Sequence, residues 1–198
     1  TLWSWGYNNN GQLGKENTIN ISSPVQIGAL TTWASISSGG AHSLALKQDG
    51  TLWVWGDASA GQIGLGNTAS KSSPVQLGAN TWNSIASTFK TSFGVRSDGT
   101  LWSWGTSYAG ILGNNTGGAY AGKSSPIQIG ALTTWSAVYG CVVANAGQQT
   151  AMAKKSDGTL WLWGFGYHGN LGMAFAASAR KNYKKYFSPY ISDVAFVS

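Results

Sequence analysis

Few residues in this chain could do catalytic or metal chemistry, and their spacing argues against both. The inventory is two histidines (His42 and His168), one cysteine (Cys141) and six acidic residues. No His, Cys and Asp fall at metal-site spacing. Ser43 follows His42 directly, and neighbouring side chains in a strand point to opposite faces, so the two cannot pair as nucleophile and base. Asp49, Asp98 and Asp157 each precede a glycine, where Asp is wanted for a tight turn rather than for acid chemistry. The three acids left over are too few for a paired-carboxylate mechanism. The six residues from Gly164 to Gly169 match a dinucleotide fingerprint in spacing but lack a βαβ context. The expectation is a non-catalytic chain without metal or cofactor.

Binding is better represented. A four-residue stretch between a recurring Trp-Gly and a recurring Gly-x-Leu-Gly changes its content in every copy: Tyr7-Asn8-Asn9-Asn10, Asp57-Ala58-Ser59-Ala60, Thr106-Ser107-Tyr108-Ala109 and Phe165-Gly166-Tyr167-His168. Loops that vary on a constant scaffold are where recognition is built, and Tyr and Asn suit contacts with proteins or glycans. Tyr7, Asn8, Asn9, Asn10, Tyr108, Tyr167 and His168 are the candidate contacts. A second candidate interleaves cations and aromatics: Arg180, Lys181, Tyr183, Lys184, Lys185 and Tyr186. Its four cations supply most of the net charge of +6. This segment is expected to meet an acidic neighbouring subunit or another polyanion, with affinity falling steeply as salt rises.

These residues are carried by a repeat. Asp49-Gly50-Thr51-Leu52-Trp53-Val54-Trp55-Gly56 returns at Asp98 to Gly105 and Asp157 to Gly164, and a shortened copy opens the chain at Thr1 to Gly6. The paired tryptophans are Trp3 and Trp5, Trp53 and Trp55, Trp102 and Trp104, and Trp161 and Trp163. Successive pairs are 50, 49 and 59 residues apart, a period that signals a propeller or solenoid. Within each period follow Gly-x-Leu-Gly, whose second glycines are Gly14, Gly64, Gly113 and Gly172, then Ser-Pro-Val-Gln-like segments at Pro24, Pro74 and Pro126, then a Trp-led strand at Trp33, Trp82 and Trp135. Asp-Gly predicts a type I′ hairpin turn with φ > 0 at both residues. Because both faces of Leu52-Trp53-Val54-Trp55 are apolar, the strand must be covered on both sides. Radially stacked small sheets provide that cover, so the fold class is all-β, a propeller of four-stranded blades. Trp→Ala in any copy is expected to be costly.

Ile36-Ser37-Ser38-Gly39-Gly40-Ala41-His42-Ser43-Leu44-Ala45-Leu46, followed by Asp49-Gly50 and the Trp strand, resembles the regulator of chromosome condensation repeat. The resemblance implies a seven-bladed propeller and an alternative activity, nucleotide exchange on a small GTPase, for which no matching residues carry over. His42 becomes Thr91 and Thr150 in later copies, so the histidine is not a recurrent ligand; its imidazole is expected to bond the backbone of a neighbouring turn. Seven blades need roughly 350 residues, and 198 residues hold three to four. The chain reads as one repeat domain, with units near 1–48, 49–97, 98–156 and 157–198, from a longer propeller.

Charged residues are 9% of the chain, against about 25% in an average soluble domain. The longest uncharged run, Ser124 to Ala153, is too polar for a membrane span. One cysteine cannot form an internal disulfide. Low charge with abundant Gly, Ser, Thr and Asn suggests a structural or recognition module on a virion, such as a phage capsid or tail, or another extracellular assembly. Its partners would be proteins or neighbouring subunits, with a glycan or polyanion as further options.

Overall fold

The computed structural model describes residues 1–114, 122–141 and 149–165. Twelve strands run in order: β1 (Trp3–Gly6), β2 (Ile21–Gln26), β3 (Trp33–Ser38), β4 (His42–Lys47), β5 (Thr51–Gly56), β6 (Lys71–Ser87), β7 (Thr91–Arg96), β8 (Leu101–Gly105), β9 (Lys123–Gln128), β10 (Trp135–Cys141), β11 (Thr150–Lys155) and β12 (Leu160–Gly164). Each pairs antiparallel with its sequence neighbour inside three groups, β1–β2, β3 to β9 and β10 to β12. No helix among the described residues is long and apolar enough to cross a membrane.

The seven-stranded group is two blades joined through one strand. Residues 71–76 of β6 pair with β5, and residues 82–87 pair with β7, so β6 is the fourth strand of one blade and the first of the next. Each of these two blades therefore takes its first two strands from one sequence repeat and its last two from the following one. First strands of neighbouring blades touch: β6 contacts both β3 and β10, and Val138 N donates to Ser84 Oγ across that boundary at 3.0 Å. Pro24, Pro74 and Pro126 sit in the fourth strands, the edge position where a missing N–H breaks no ladder.

The core lies between blades. Val54 of one blade clusters with Ile63, Leu77, Trp82 and Trp104 of the next boundary; Phe93, Ile111 and Ile129 cluster with Trp135 and Trp163; Leu2 and Ile27 cluster with Ala45 and Trp55. The two blades of the β3 to β9 group have apolar neighbours on both faces, which is why their Leu-Trp-x-Trp strands are apolar throughout.

Two expectations are corrected. Asp49, Asp98 and Asp157 do not adopt positive φ; only the glycines do, at φ 81°, 78° and 87° for Gly50, Gly99 and Gly158. Gly50 N bonds Lys47 O, and Gly99 N bonds Arg96 O, so the turn is type I followed by a left-handed glycine bulge. Asp acts there through its side chain: Asp98 Oδ1 accepts from Thr100 N at 3.0 Å and Thr100 Oγ1 at 2.6 Å. The second correction concerns Trp3 and Trp5, which are 49% and 59% exposed, because no described strand covers the β1 side of their two-stranded sheet.

Candidate interaction surface

The varied loops are built on two consecutive tight turns. Gly11 N bonds Asn8 O and Gly14 N bonds Gly11 O; Gly61 N bonds Ala58 O and Gly64 N bonds Gly61 O. The second glycine then lies on the indole of the next blade. A Cβ on Gly14, Gly64 or Gly113 would come within 2.8–3.1 Å of Nε1 of Trp55, Trp104 or Trp163. Nε1 of Trp55 donates to Gln12 O at 2.8 Å, and that of Trp163 to Ile111 O at 2.7 Å. Trp104 lacks the equivalent bond, and Gln62 O is taken by Ser92 Oγ. Gly-x-Leu-Gly is thus the lock between blades.

That lock sorts the four varied positions into support and tip. The second position is buried in each described copy, at Asn8, Ala58 and Ser107. Asn8 is wholly committed to its own loop: Nδ2 donates to Asn17 O and Ile19 O, and Oδ1 accepts from Leu13 N. Burial removes it from any partner's reach. Asp57, aligned with Tyr7, is also internal, accepting from Ser59 N and Gln62 Nε2. Tyr7 is 59% exposed; Asn9 and Ser59 are exposed, and Asn10 and Tyr108 are half-buried. The links Asp57 N to Ala41 O and Thr106 N to Lys90 O place the residue 39–41 and 88–90 connections on this same face. Tyr167, His168, Gly172, Arg180, Lys181, Tyr183, Lys184, Lys185 and Tyr186 lie outside the described residues.

His42 stands beneath this face, 1% exposed. It bonds a side chain of the next blade rather than a turn backbone: Nε2 is 2.8 Å from Ser92 Oγ. Because the single Ser92 hydroxyl proton goes to Gln62 O at 2.7 Å, His42 must donate through Nε2–H. Nδ1 is left without a partner. Gly39 makes room for the ring, since a Cβ there would overlap His42 Cε1. Where the aligned residue is Thr91, position 39 becomes Thr88, whose Oγ1 bonds Gln149 Oε1 instead.

Burial lowers the His42 pKa from 6.5 to about 4, against a smaller opposing pull from Asp57. Between those values the unfolded chain binds a proton that the folded chain refuses. The contribution to stability is therefore complete above about pH 6.5 and is lost as pH falls toward 4, by up to about 3 kcal/mol. Urea titrations across that window should show the slope, and His42→Gln should flatten it. An unchanged slope in the variant would remove His42 as the cause.

The opposite face carries a constellation that sequence reading missed. Lys47, Arg96 and Lys155 each sit over two indoles: 3.7 Å from Trp53 and 5.3 Å from Trp33, 3.5 Å from Trp102 and 5.1 Å from Trp82, and 4.2 Å from Trp161 and 5.3 Å from Trp135. Trp102 Nε1 donates to Thr100 Oγ1 at 2.7 Å, which donates to Asp98. Hydrogen bonding from the Thr hydroxyl, then from its backbone N–H, holds Asp49, Asp98 and Asp157 below the ordinary carboxylate range. The sequence signal was a cation two residues before every Asp-Gly. Cation–π contacts between such half-buried groups contribute about 0.5–2 kcal/mol each.

Among the described residues no group of three His, Cys, Asp or Glu could hold a metal. Cys141 is free and exposed.

Residues 1–46 and 49–87 match the Regulator of chromosome condensation (RCC1) repeat, and residues 33–62 match a second model of that repeat. The structure superposes on yeast Prp20p with a TM-score of 0.65 over 88% of this chain, at 20% identity. Residues 1–87 carry RCC1 repeats, and the chain has the fold of a β-propeller. Human WBSCR16 is similarly related, with TM-score 0.66, 23% identity and 82% of this chain covered. Yeast RCC1 (Prp20) bound to Kap60 gives TM-score 0.65 at 18% identity. At these identities the likeness establishes the fold. The chain spans 42–43% of the length of those structures. Curated protein sequences give no match.

Proposed function

We infer that this RCC1-like chain is part of a longer, non-catalytic propeller that serves as a protein-interaction module and presents the varied loop tips to its partner. The observation that supports this is the division of labour inside each loop: Gly-x-Leu-Gly is tied up in locking blades together, while Tyr7, Asn9, Ser59 and Tyr108 differ between blades at the surface. Prp20p binds Gsp1p and histones, which favours a protein as the partner class. A photocrosslinking residue at position 7 or 108 should capture a protein from the source extract that one at Ser23, exposed in the edge strand β2, does not. Equal capture from Ser23, or none from the loops, would contradict the reading.

Nucleotide exchange on a small GTPase is the second reading, and it rests on the same structural neighbour. Accelerated release of labelled GDP from a candidate GTPase would establish it in place of a purely adaptor role. A virion or extracellular location and a glycan partner rest on composition and loop chemistry alone; the comparisons lend them no support.

A further inference from the structure

A second surface lies away from the varied loops, where the Gly-x-Leu-Gly loop of one blade and the connection into the next enclose a groove. The first groove, about 300 Å³, is lined by Leu65, Asn80, Trp82, Arg96, Ser125 and Pro126 together with glycines 64, 66 and 78. The second, about 470 Å³, is formed by the aligned elements, with Ile129, Gly130 and Leu132 against Trp135 and Trp161. Both adjoin the Asp-Gly turns: Trp82 N bonds Gly50 O and Trp135 N bonds Gly99 O.

The recurrence extends to unmet donors. Trp82 and Trp135, at aligned positions, are 2% and 5% exposed, and the Nε1–H of each has no hydrogen-bond partner. Arg96 Nε is likewise unpartnered. Beside each indole stands a cation whose positive charge faces aromatic rings: Arg96 lines the first groove, and Lys155 lies over Trp135 and Trp161, two of the rings that line the second. Asp98 and Asp157 lie at the same turns, each accepting from its own threonine through Oδ1, and offset part of that positive charge. Unmet donors and positive charge at an apolar groove call for an occupant that brings an acceptor oxygen, negative charge and some apolar surface.

We propose that these two grooves are docking sites for an acidic peptide segment of a protein partner, its carboxylates directed to Arg96 and Lys155 and its stem against Leu65 or Leu132. This goes beyond the loop-face reading, since it concerns the other side of the blades.

The test uses the full chain with Arg180, Lys181, Lys184 and Lys185 replaced by alanine, so that the basic segment cannot mask the grooves. A short fluorescein-labelled oligoglutamate peptide should bind this background and be released by salt. Asn80→Asp together with Leu132→Asp, which place a carboxylate in each groove, should weaken it by about tenfold or more. Arg96→Gln should weaken it, and Arg96→Lys should retain it. Circular dichroism confirms that each variant is folded. No binding in the background chain, equal binding by the variant that combines Asn80→Asp with Leu132→Asp, or stronger competition by a DNA duplex than by oligoglutamate would overturn the proposal. Photocrosslinking from the loop tips is independent of all these changes, so either surface can fail while the other stands.

Discussion

Trp104→Ala is expected to lower the free energy of unfolding by about 3–5 kcal/mol, whereas Trp5→Ala, at the same repeat position, should cost about 1 kcal/mol or less. The two residues share sequence context but differ in cover. Trp104 is fully buried between Leu77 and Val54 of one blade and its own sheet, while Trp5 is 59% exposed. Removing a buried indole takes away its transfer free energy and leaves a cavity that neighbouring strands, fixed by their ladders, cannot close. Urea unfolding followed by circular dichroism separates the two effects without relying on tryptophan emission. Similar costs at both sites would mean that the strand itself, and not the junction between blades, makes the tryptophan important.

Gly64→Ala should cost about 2–5 kcal/mol, and Gly28→Ala about 1–2 kcal/mol. Both glycines have left-handed backbone, φ 75° and 58°, so both replacements carry the conformational penalty. They differ in space. A Cβ on Gly64 would lie 2.8 Å from Trp104 Nε1, while one on Gly28 has nothing within 4 Å. The excess at Gly64 is therefore the cost of forcing loop and indole apart. If the two variants unfold at the same urea concentration, the loop is not a tight lock.

The repeat made the blade legible because its signals are local: the period of the tryptophans, Asp-Gly between strand patterns, and the doubly apolar Leu-Trp-x-Trp run. Strand identities and the propeller class follow from these. The offset between sequence repeat and blade was not readable, since β6 crosses from one sheet to the next through Leu77-Gly78-Ala79-Asn80-Thr81, with the left-handed Gly78 at φ 61° the one local sign of the bend. Nor was the burial of Asn8 beside the exposure of Asn9, since adjacent asparagines in one loop differ only in which way the turn aims them. The exposure of Trp3 and Trp5 could not be inferred from a motif identical to that of Trp53 and Trp55, because cover comes from strands distant in sequence. The Lys47, Arg96 and Lys155 clasp was written in the sequence two residues before each Asp-Gly, but a lone cation on a strand ordinarily reads as a wet face. His42 showed its contrast with Thr91 and Thr150 in sequence; that Ser92 of the next blade receives it needed the register of β4 against β7.

Gly-x-Leu-Gly of one blade locks the tryptophan of the next, making the chain a coupled arc of blades. Hydrogen–deuterium exchange on the parent chain and on Gly64→Ala tests this most directly. Coupling predicts faster exchange in the variant both in β4 and β5, His42 to Gly56, and across the junction in β7 and β8, Thr91 to Gly105. Acceleration confined to residues 57–66, with both flanking sheets exchanging as in the parent, would contradict it.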